Sequence, residues 1–212
     1  MYRRRFEECL HAFEGKYERD LVGAFRAMAE TGNLELIGCS ATHGFFPLMQ
    51  ATPEAVNAQA AVGVQQYESD FGRKPRGVWN AECGFYPGAD EILARHGVEY
   101  FFCDTHAILL ADSKPKYGVF APVRTPAGVA VFGRDQDSSK SVWSTQHGYP
   151  GDPRYREFYR DIGFDLDEGY LHQWIEKIGV RHATGIKYHR ITGHTGLHEK
   201  APYDPHEAAA AA

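Results

Sequence analysis

The sequence of 212 residues has no long apolar run and no excess of basic charge, and both absences exclude classes of protein. No apolar stretch approaches the ~20 residues of a membrane-spanning helix, and the N-terminus lacks the apolar region of a signal peptide. The formal net charge of −5 gives no electrostatic reason to bind nucleic acid or an anionic membrane. We therefore expect a cytoplasmic protein without nucleic-acid or membrane partners.

Common signatures of metal and nucleotide sites are also missing. The chain contains no HExxH, no Walker A sequence and no GxGxxG. Its four cysteines, Cys9, Cys39, Cys83 and Cys103, show no CxxC spacing. Three of them lie at predicted strand ends and could meet in space, but reduced, buried thiols are a simpler interpretation than a metal cluster.

What the chain does contain is an alternation of strands and helices. Strands are predicted at residues 34–40, 77–80 and 98–103, and the third is an unbroken apolar and aromatic run, typical of a strand buried on both faces. Right-handed crossovers would make these strands parallel. Periodicity, caps and stop residues predict a helix at residues 6–31 before the first strand, and intervening helices from Pro53 to about Phe71 and at 89–96. The sequence thus predicts a single α/β domain.

Ionisable side chains follow each of the three predicted strands. His43 follows the first, Glu82 the second, and Asp104 and His106 the third. Because the carboxyl ends of parallel strands share one edge, we expect these four side chains on one rim, where α/β enzymes build their active sites.

Glu82 is the strongest candidate for chemistry. Its neighbours Trp79, Cys83 and Phe85 predict partly apolar surroundings, in which a carboxylate can serve as nucleophile or general acid/base. The alternative is a glutamate that caps the next helix or pairs with an arginine.

His43, Asp104 and His106 allow two interpretations. Asp104 and His106 are two residues apart, so on an extended strand end they would point to the same face. With His43 they could be metal ligands or a hydrogen-bonding clamp for a polar substrate. Taken singly, they could equally be a capping aspartate and core histidines.

The C-terminal half is less regular. Residues 133–165 form a long segment with six aromatic residues, which argues against disorder and for a functional loop. Further elements are predicted as a strand at 129–132, a helix at 170–178, a strand at 186–191, and a tail at 206–212 that ends in a run of alanines.

At Glu82 the sequence resembles glycoside hydrolase family 57. GVWNAECGFYPG is similar to that family's nucleophile motif, although NAEC departs from the common LPEC form. IGCSATHGFFPL resembles its upstream histidine motif, and YFFCDTHAILLA resembles the strand after the nucleophile. HGYPGDPRYREFYRDIGFDLD and TGIKYHRITG resemble the 1,4-α-glucan branching enzymes and amylase-like relatives.

The resemblance covers nearly all of residues 6–205 and implies part of a (β/α)7 TIM-like barrel over residues 1–205. It implies a retaining α-1,4-glucan branching reaction on amylose-like or glycogen-like chains, with no metal or organic cofactor. Residues 133–165 would be a loop over the active site. Glu82 would be the nucleophile, and the implied substrate-binding residues are His43, Trp79, Cys83, Asp104, His106, Trp143 and Tyr149.

The resemblance also leads us to expect an incomplete barrel, since family members are longer and their general-acid aspartate follows a later strand. Two other functions stay open. A metal-dependent polysaccharide deacetylase would bind zinc through His43, Asp104 and His106. A non-catalytic glucan-binding remnant would use Trp79, Trp143 and Tyr149 as stacking surfaces.

Overall fold

The computed structural model describes residues 1–175 and 181–211, and its centre is a mostly parallel sheet. β1 pairs with β2, β2 with β3, and β3 with β5 in parallel, while β4 pairs antiparallel with β5. The order across the sheet is β1-β2-β3-β5-β4. The α/β class with parallel strands is confirmed, and closure into a barrel stays a prediction because this five-stranded sheet is open. The strands are β1 Gly38–Cys39, β2 Gly77–Trp79, β3 Tyr100–Cys103, β4 Val123–Arg124 and β5 Ala130–Gly133.

Helices connect these strands and continue beyond them. The helix predicted from Pro53 is confirmed as α4; it ends at Gly72, whose φ of 69° is the left-handed conformation that glycine adopts readily. No helix in the described ranges is long and apolar enough to cross a bilayer. The α-helices are α1 Tyr2–His11, α2 Leu21–Glu30, α3 Phe46–Met49, α4 Pro53–Phe71, α5 Ala89–Arg95, α6 Thr105–Leu109, α7 Gln136–Trp143, α8 Ile162–Asp165, α9 Glu168–Leu171 and α10 Pro205–Ala209.

The single helix predicted at residues 6–31 is wrong, because the chain breaks in its middle. A π-helical turn, Ala12–Lys16, follows α1, and Glu18 and Arg19 then take positive φ values of 49° and 65°. Asp20 begins α2 by accepting a hydrogen bond of 2.7 Å from the Gly23 amide. Local capping therefore overrides the continuous periodicity.

The strand predicted at residues 98–103 is not buried on both faces. Phe101 and Cys103 are buried in the core with residues of α4, α5 and α6, whereas Tyr100 and Phe102 on the opposite face are only half-buried. The rings of Tyr100, Phe102 and Phe132 lie 5.5–5.9 Å apart in pairs and form a continuous aromatic surface. Residues of α4, α5 and α6 share the core with Phe101 and Cys103, whereas Phe132 on the other face is 39% exposed.

The chain divides into two compact units. The first comprises Met1 and Arg3–Gln136, and includes the sheet; the second comprises Tyr2 and Asp137–Ala212. In the second unit, Asp161 is buried and accepts hydrogen bonds from Gly163, Thr184 and Gly185.

The second unit differs from the predicted loop and strand. Residues 133–165 contain α7, a 3-10 turn at Tyr149–Gly151 and α8, so the segment is partly helical. The predicted strand at 186–191 is wrong, since that stretch forms isolated bridges from Arg190 and His189. The predicted helix at 170–178 overlaps α9 only at its start, and its residues 176–178 lie outside the described residues.

Candidate active site

Four parallel strands deliver polar side chains to one edge of the sheet. Glu82 follows β2 and Asp104 follows β3, as predicted, and His43 lies four residues after the end of β1. Arg134 follows β5 directly and also lies at this edge, although it was not among the predicted site residues. A signal was available, because an arginine two residues after a predicted strand at 129–132 should reach the same edge.

Glu82 sits on a tight turn with an unusual backbone. The amide of Cys83 donates to the Asn80 carbonyl at 2.9 Å, and the amide of Gly84 donates to the Ala81 carbonyl at 2.9 Å. The buried Asn80 side chain donates to the Gly84 carbonyl at 3.3 Å and closes the turn. These bonds hold Glu82 at φ 51° and ψ 30°, the left-handed region that costs a non-glycine residue about 1–2 kcal/mol.

This turn points the Glu82 side chain outward. The carboxylate-bearing side chain is 80% exposed, so the expectation of partly apolar surroundings is wrong. Of its predicted neighbours, Cys83 is buried in the protein interior and Phe85 stacks on the core residue Phe101. Glu82 is therefore available to a ligand from solvent.

His43 is the partner of Glu82. Its Nε2 lies 3.5 Å from Glu82 Oε1, and its Nδ1 lies 3.2 Å from Cys39 Sγ. His43 and Glu82 are thus brought together by the ends of β1 and β2, which neighbour each other in the sheet.

Backbone strain is concentrated at this edge. Of the six non-glycine residues with positive φ in the described part of the chain, three are His43, Glu82 and Cys83. Such residues cluster at functional sites, because a merely structural turn would accommodate glycine or asparagine at lower cost. The turn after β2 therefore belongs to the candidate site by its backbone geometry as well as by its side chains.

Cys83 lies beneath the turn, close to Arg134. Burial raises the pKa of the Cys83 thiol, and the guanidinium of Arg134, with Nη1 3.9 Å from Sγ, offsets this only in part. The charges of Asp104 and Glu82 also raise the pKa of this thiol, because both carboxylates lie nearby. Cys83 is therefore a buried neutral thiol, and Arg134 is the cation of this edge.

Asp104 and His106 do not extend the strand. Asp104 is the residue before α6, and its Oδ1 accepts a hydrogen bond of 2.8 Å from the Thr105 amide. His106 lies within α6, with Nδ1 3.9 Å from Asp104 Oδ2. The predicted extended geometry is wrong because the helix begins immediately after Cys103. Asp104 thus fits the alternative of a capping aspartate.

The zinc hypothesis gains no support from this arrangement. Across residues 1–175 and 181–211, no group of three or more histidine, cysteine, aspartate or glutamate side chains is placed to hold a metal ion. In particular, His43 faces Glu82 and Cys39, while His106 faces Asp104.

The three aromatic residues predicted to bind substrate lie in different parts of the structure. Trp79 ends β2 beside the aromatic surface, with its ring centroid 5.8 Å from that of Phe102. Trp143 ends α7 with 76% of its surface exposed, and Tyr149 is 59% exposed with its ring edge-on to Tyr155. Trp143 and Tyr149 belong to the second unit, so their part in this site stays a prediction.

Comparison with known proteins supplies the context for this geometry. Residues 6–200 match the family model described as Glycosyl hydrolase family 57. The 1,4-alpha-glucan branching enzyme TK1436 of Thermococcus kodakarensis is 32% identical over 216 residues, an alignment that covers 89% of this chain and 29% of the relative.

Solved structures show the same similarity. The alpha-amylase AmyC from Thermotoga maritima has a TM-score of 0.87 at 52% identity, over 99% of this chain and 40% of the amylase. The GH57-type branching enzyme from Pyrococcus horikoshii has a TM-score of 0.75 at 33% identity, over 96% of this chain and 36% of that enzyme. The chain thus spans less than half the length of each of these relatives.

Proposed function

Because the chain belongs to glycosyl hydrolase family 57, we propose that it carries the nucleophile of a retaining enzyme that acts on α-1,4-glucan. The observation that supports this most directly is the turn after β2. It presents the Glu82 carboxylate to solvent from a strained backbone, with His43 3.5 Å away.

The proposed reaction has two steps. In the first, a carboxylate oxygen of Glu82 attacks the anomeric carbon of a glucosyl unit and the bond to the leaving oxygen breaks. The leaving oxygen takes a proton from a second carboxylic acid. In the second step, an acceptor hydroxyl attacks the same carbon, gives its proton to that carboxylate and releases Glu82. Two displacements retain the configuration of the anomeric carbon.

The second carboxylic acid is not Asp104 in this proposal. Asp104 holds the start of α6 through its bond to the Thr105 amide, so its carboxylate already accepts a hydrogen bond from the backbone. Its place beside the catalytic turn suits a sugar hydroxyl instead. Asp104, with His43 and His106, is therefore proposed to bind the substrate.

We favour branching, in which the acceptor is a 6-hydroxyl of a glucan chain, over hydrolysis. The branching enzymes of Thermococcus kodakarensis and Pyrococcus horikoshii support this choice, whereas the more similar AmyC, an alpha-amylase, favours water as acceptor. A branching enzyme of this kind would serve the synthesis of glycogen-like polymer in the cytoplasm. Trp79, which is half-buried, and the exposed Trp143 and Tyr149 are proposed as surfaces on which glucan rings stack.

A fluorinated α-glucosyl fluoride tests the role of Glu82. Fluoride leaves without a proton, so the first step requires the nucleophile and not the acid, while the ring fluorine slows the second step. We expect the intact mass to rise by one fluoroglucosyl group, and peptide mapping to locate the group on Glu82. Glu82→Gln should abolish the label. Glu91→Gln, an exposed glutamate of α5, is the matched control and should keep it.

The outcomes separate the candidate functions. A label on another residue, or a label that survives Glu82→Gln, would overturn the assignment of the nucleophile. Binding of amylose without any label would instead support a glucan-binding protein. Once labelling is established, the iodine–amylose assay detects branching, and an increase in reducing ends detects hydrolysis.

A further inference from the structure

The side chain of Cys39 contacts His43 at the ring nitrogen that does not face Glu82, and the family resemblance gives Cys39 no role. Cys39 is the last residue of β1, and its Sγ lies 3.2 Å from His43 Nδ1. Cys39, His43 and Glu82 thus form a continuous line of polar contacts, in which each imidazole nitrogen has one partner.

The loop between Cys39 and His43 is hydrogen-bonded to Gln59 of α4. The Ala41 amide donates to the Gln59 carbonyl at 3.0 Å, and the Thr42 amide donates to Gln59 Oε1 at 2.9 Å. Gln59 Nε2 in turn donates to Thr42 Oγ1 at 2.7 Å. His43 follows at a φ of 57°. With the backbone anchored, the partner of Nδ1 decides the orientation of the ring.

The chemistry of the three groups favours one direction for these polar contacts. An ionised carboxylate only accepts, so a hydrogen bond from His43 to Glu82 requires a proton on Nε2. In a neutral imidazole the other nitrogen is then a bare acceptor, and its partner must donate. A cysteine thiol is such a donor, at a distance allowed for sulfur.

We propose that Cys39 is a positioning residue, whose thiol donates to His43 Nδ1 and keeps the proton on Nε2, toward Glu82. In this arrangement, His43 Nε2 donates to the Glu82 carboxylate and orients it. The 3.5 Å gap between Nε2 and Glu82 Oε1 suits a contact that tightens when substrate binds. The effect of Cys39 on the reactivity of Glu82 rests on the proposed function, whereas the position of the proton on the His43 ring does not.

Nitrogen-15 NMR of the His43 ring at a pH where it is neutral tests the arrangement in the 212-residue chain. In the wild type, we expect one nitrogen at the shift of a bare nitrogen, Nδ1, and the other at that of a protonated nitrogen, Nε2. In Cys39→Ala the two shifts should move toward each other as both tautomers become populated. Cys39→Ser supplies a hydroxyl donor and should restore the wild-type pattern, which a purely space-filling role would not predict.

Cys9→Ala is the matched control, because Cys9 is an exposed free cysteine on α1 and should leave the His43 shifts unchanged. A proton on Nδ1 in the wild type, or identical His43 shifts in Cys39→Ala, would overturn the proposal. If Cys39→Ala does not fold, the wild-type and Cys39→Ser spectra still decide it, since both must show the bare Nδ1.

Labelling by the glucosyl fluoride connects this inference to function. Cys39→Ala should slow the labelling of Glu82 by up to about 10²-fold, the cost of a misplaced reacting group, and Cys39→Ser should recover most of that rate. A confirmed NMR pattern with no labelling in any variant would refute the proposed function and leave the inference on Cys39 intact. Equal labelling rates in wild type and Cys39→Ala would refute the positioning role.

Discussion

Asp161 should control the stability of the second unit, which holds the predicted glucan-stacking residues Trp143 and Tyr149. Its side chain is fully buried and accepts bonds of 2.8–2.9 Å from the amides of Gly163, Thr184 and Gly185 and from the Thr184 hydroxyl. Lys187 Nζ lies 3.3 Å away. Burial would raise the pKa of Asp161, but these bonds outweigh it and lower the pKa from 3.8 to about 2.

The sign and size of the effect follow from this shift. Because the folded pKa lies below the unfolded one, the carboxylate stabilises the fold above pH 3.8, and that stability is lost as the pH falls toward 2. A difference of nearly two pKa units corresponds to about 2 kcal/mol. In Asp161→Asn, the amide nitrogen would also face the Gly185 amide and Lys187, leaving a buried donor unpaired at a further cost of about 1–3 kcal/mol. We expect Asp161→Asn to lose about 3–5 kcal/mol at pH 7.

Urea unfolding followed by tryptophan fluorescence measures this loss. In a Trp79→Phe background the remaining tryptophans, Trp143 and Trp174, both report on the second unit. We compare the unfolding free energies of this background and of the same protein with Asp161→Asn. Their difference should shrink by about 2 kcal/mol between pH 5 and pH 2, because Asp161 is the one titratable group by which the two proteins differ. A difference that stays constant over this range, or one below about 1 kcal/mol at pH 7, would refute the reasoning.

Two further predictions concern the sheet and are checked by urea unfolding in a Trp143→Phe, Trp174→Phe background, in which the fluorescence of Trp79 reports on the first unit. Gly77→Ala should destabilise it by about 1–3 kcal/mol, because a Cβ at Gly77 would overlap the Tyr100 ring. Gly15→Ala, where the nearest atom is 3.6 Å away, is its control and should be neutral or slightly stabilising, so equal losses would contradict the prediction. Phe101→Ala should cost about 3–5 kcal/mol because Phe101 is fully buried. Phe132→Ala should cost less than half as much, since Phe132 is 39% exposed, and the reverse order would mean that the aromatic surface is covered in solution.

The sequence by itself determined the parts of the structure that depend on local signals. Helix α4 is predicted within a residue, because Pro53 and Gly72 restrict the backbone at its two ends. The rim was also predictable: strands joined by right-handed crossovers must run parallel, which places His43, Glu82 and Asp104 at one edge. The resemblance carried by the residues around Glu82 identified the family.

Only the tertiary structure decided how these side chains are used. The contact of His43 with Glu82 depends on β1 and β2 becoming neighbours in the sheet, and the left-handed turn that exposes Glu82 is closed by the buried Asn80 side chain. Arg134 reaches the rim because β5 pairs with β3 across a long stretch of chain. Hydrophobic periodicity cannot predict such pairings, because it shows which residues along the chain are apolar and not which surfaces pack together. The half-exposed aromatic face has the same cause, because burial of a strand is decided by the layers packed on it.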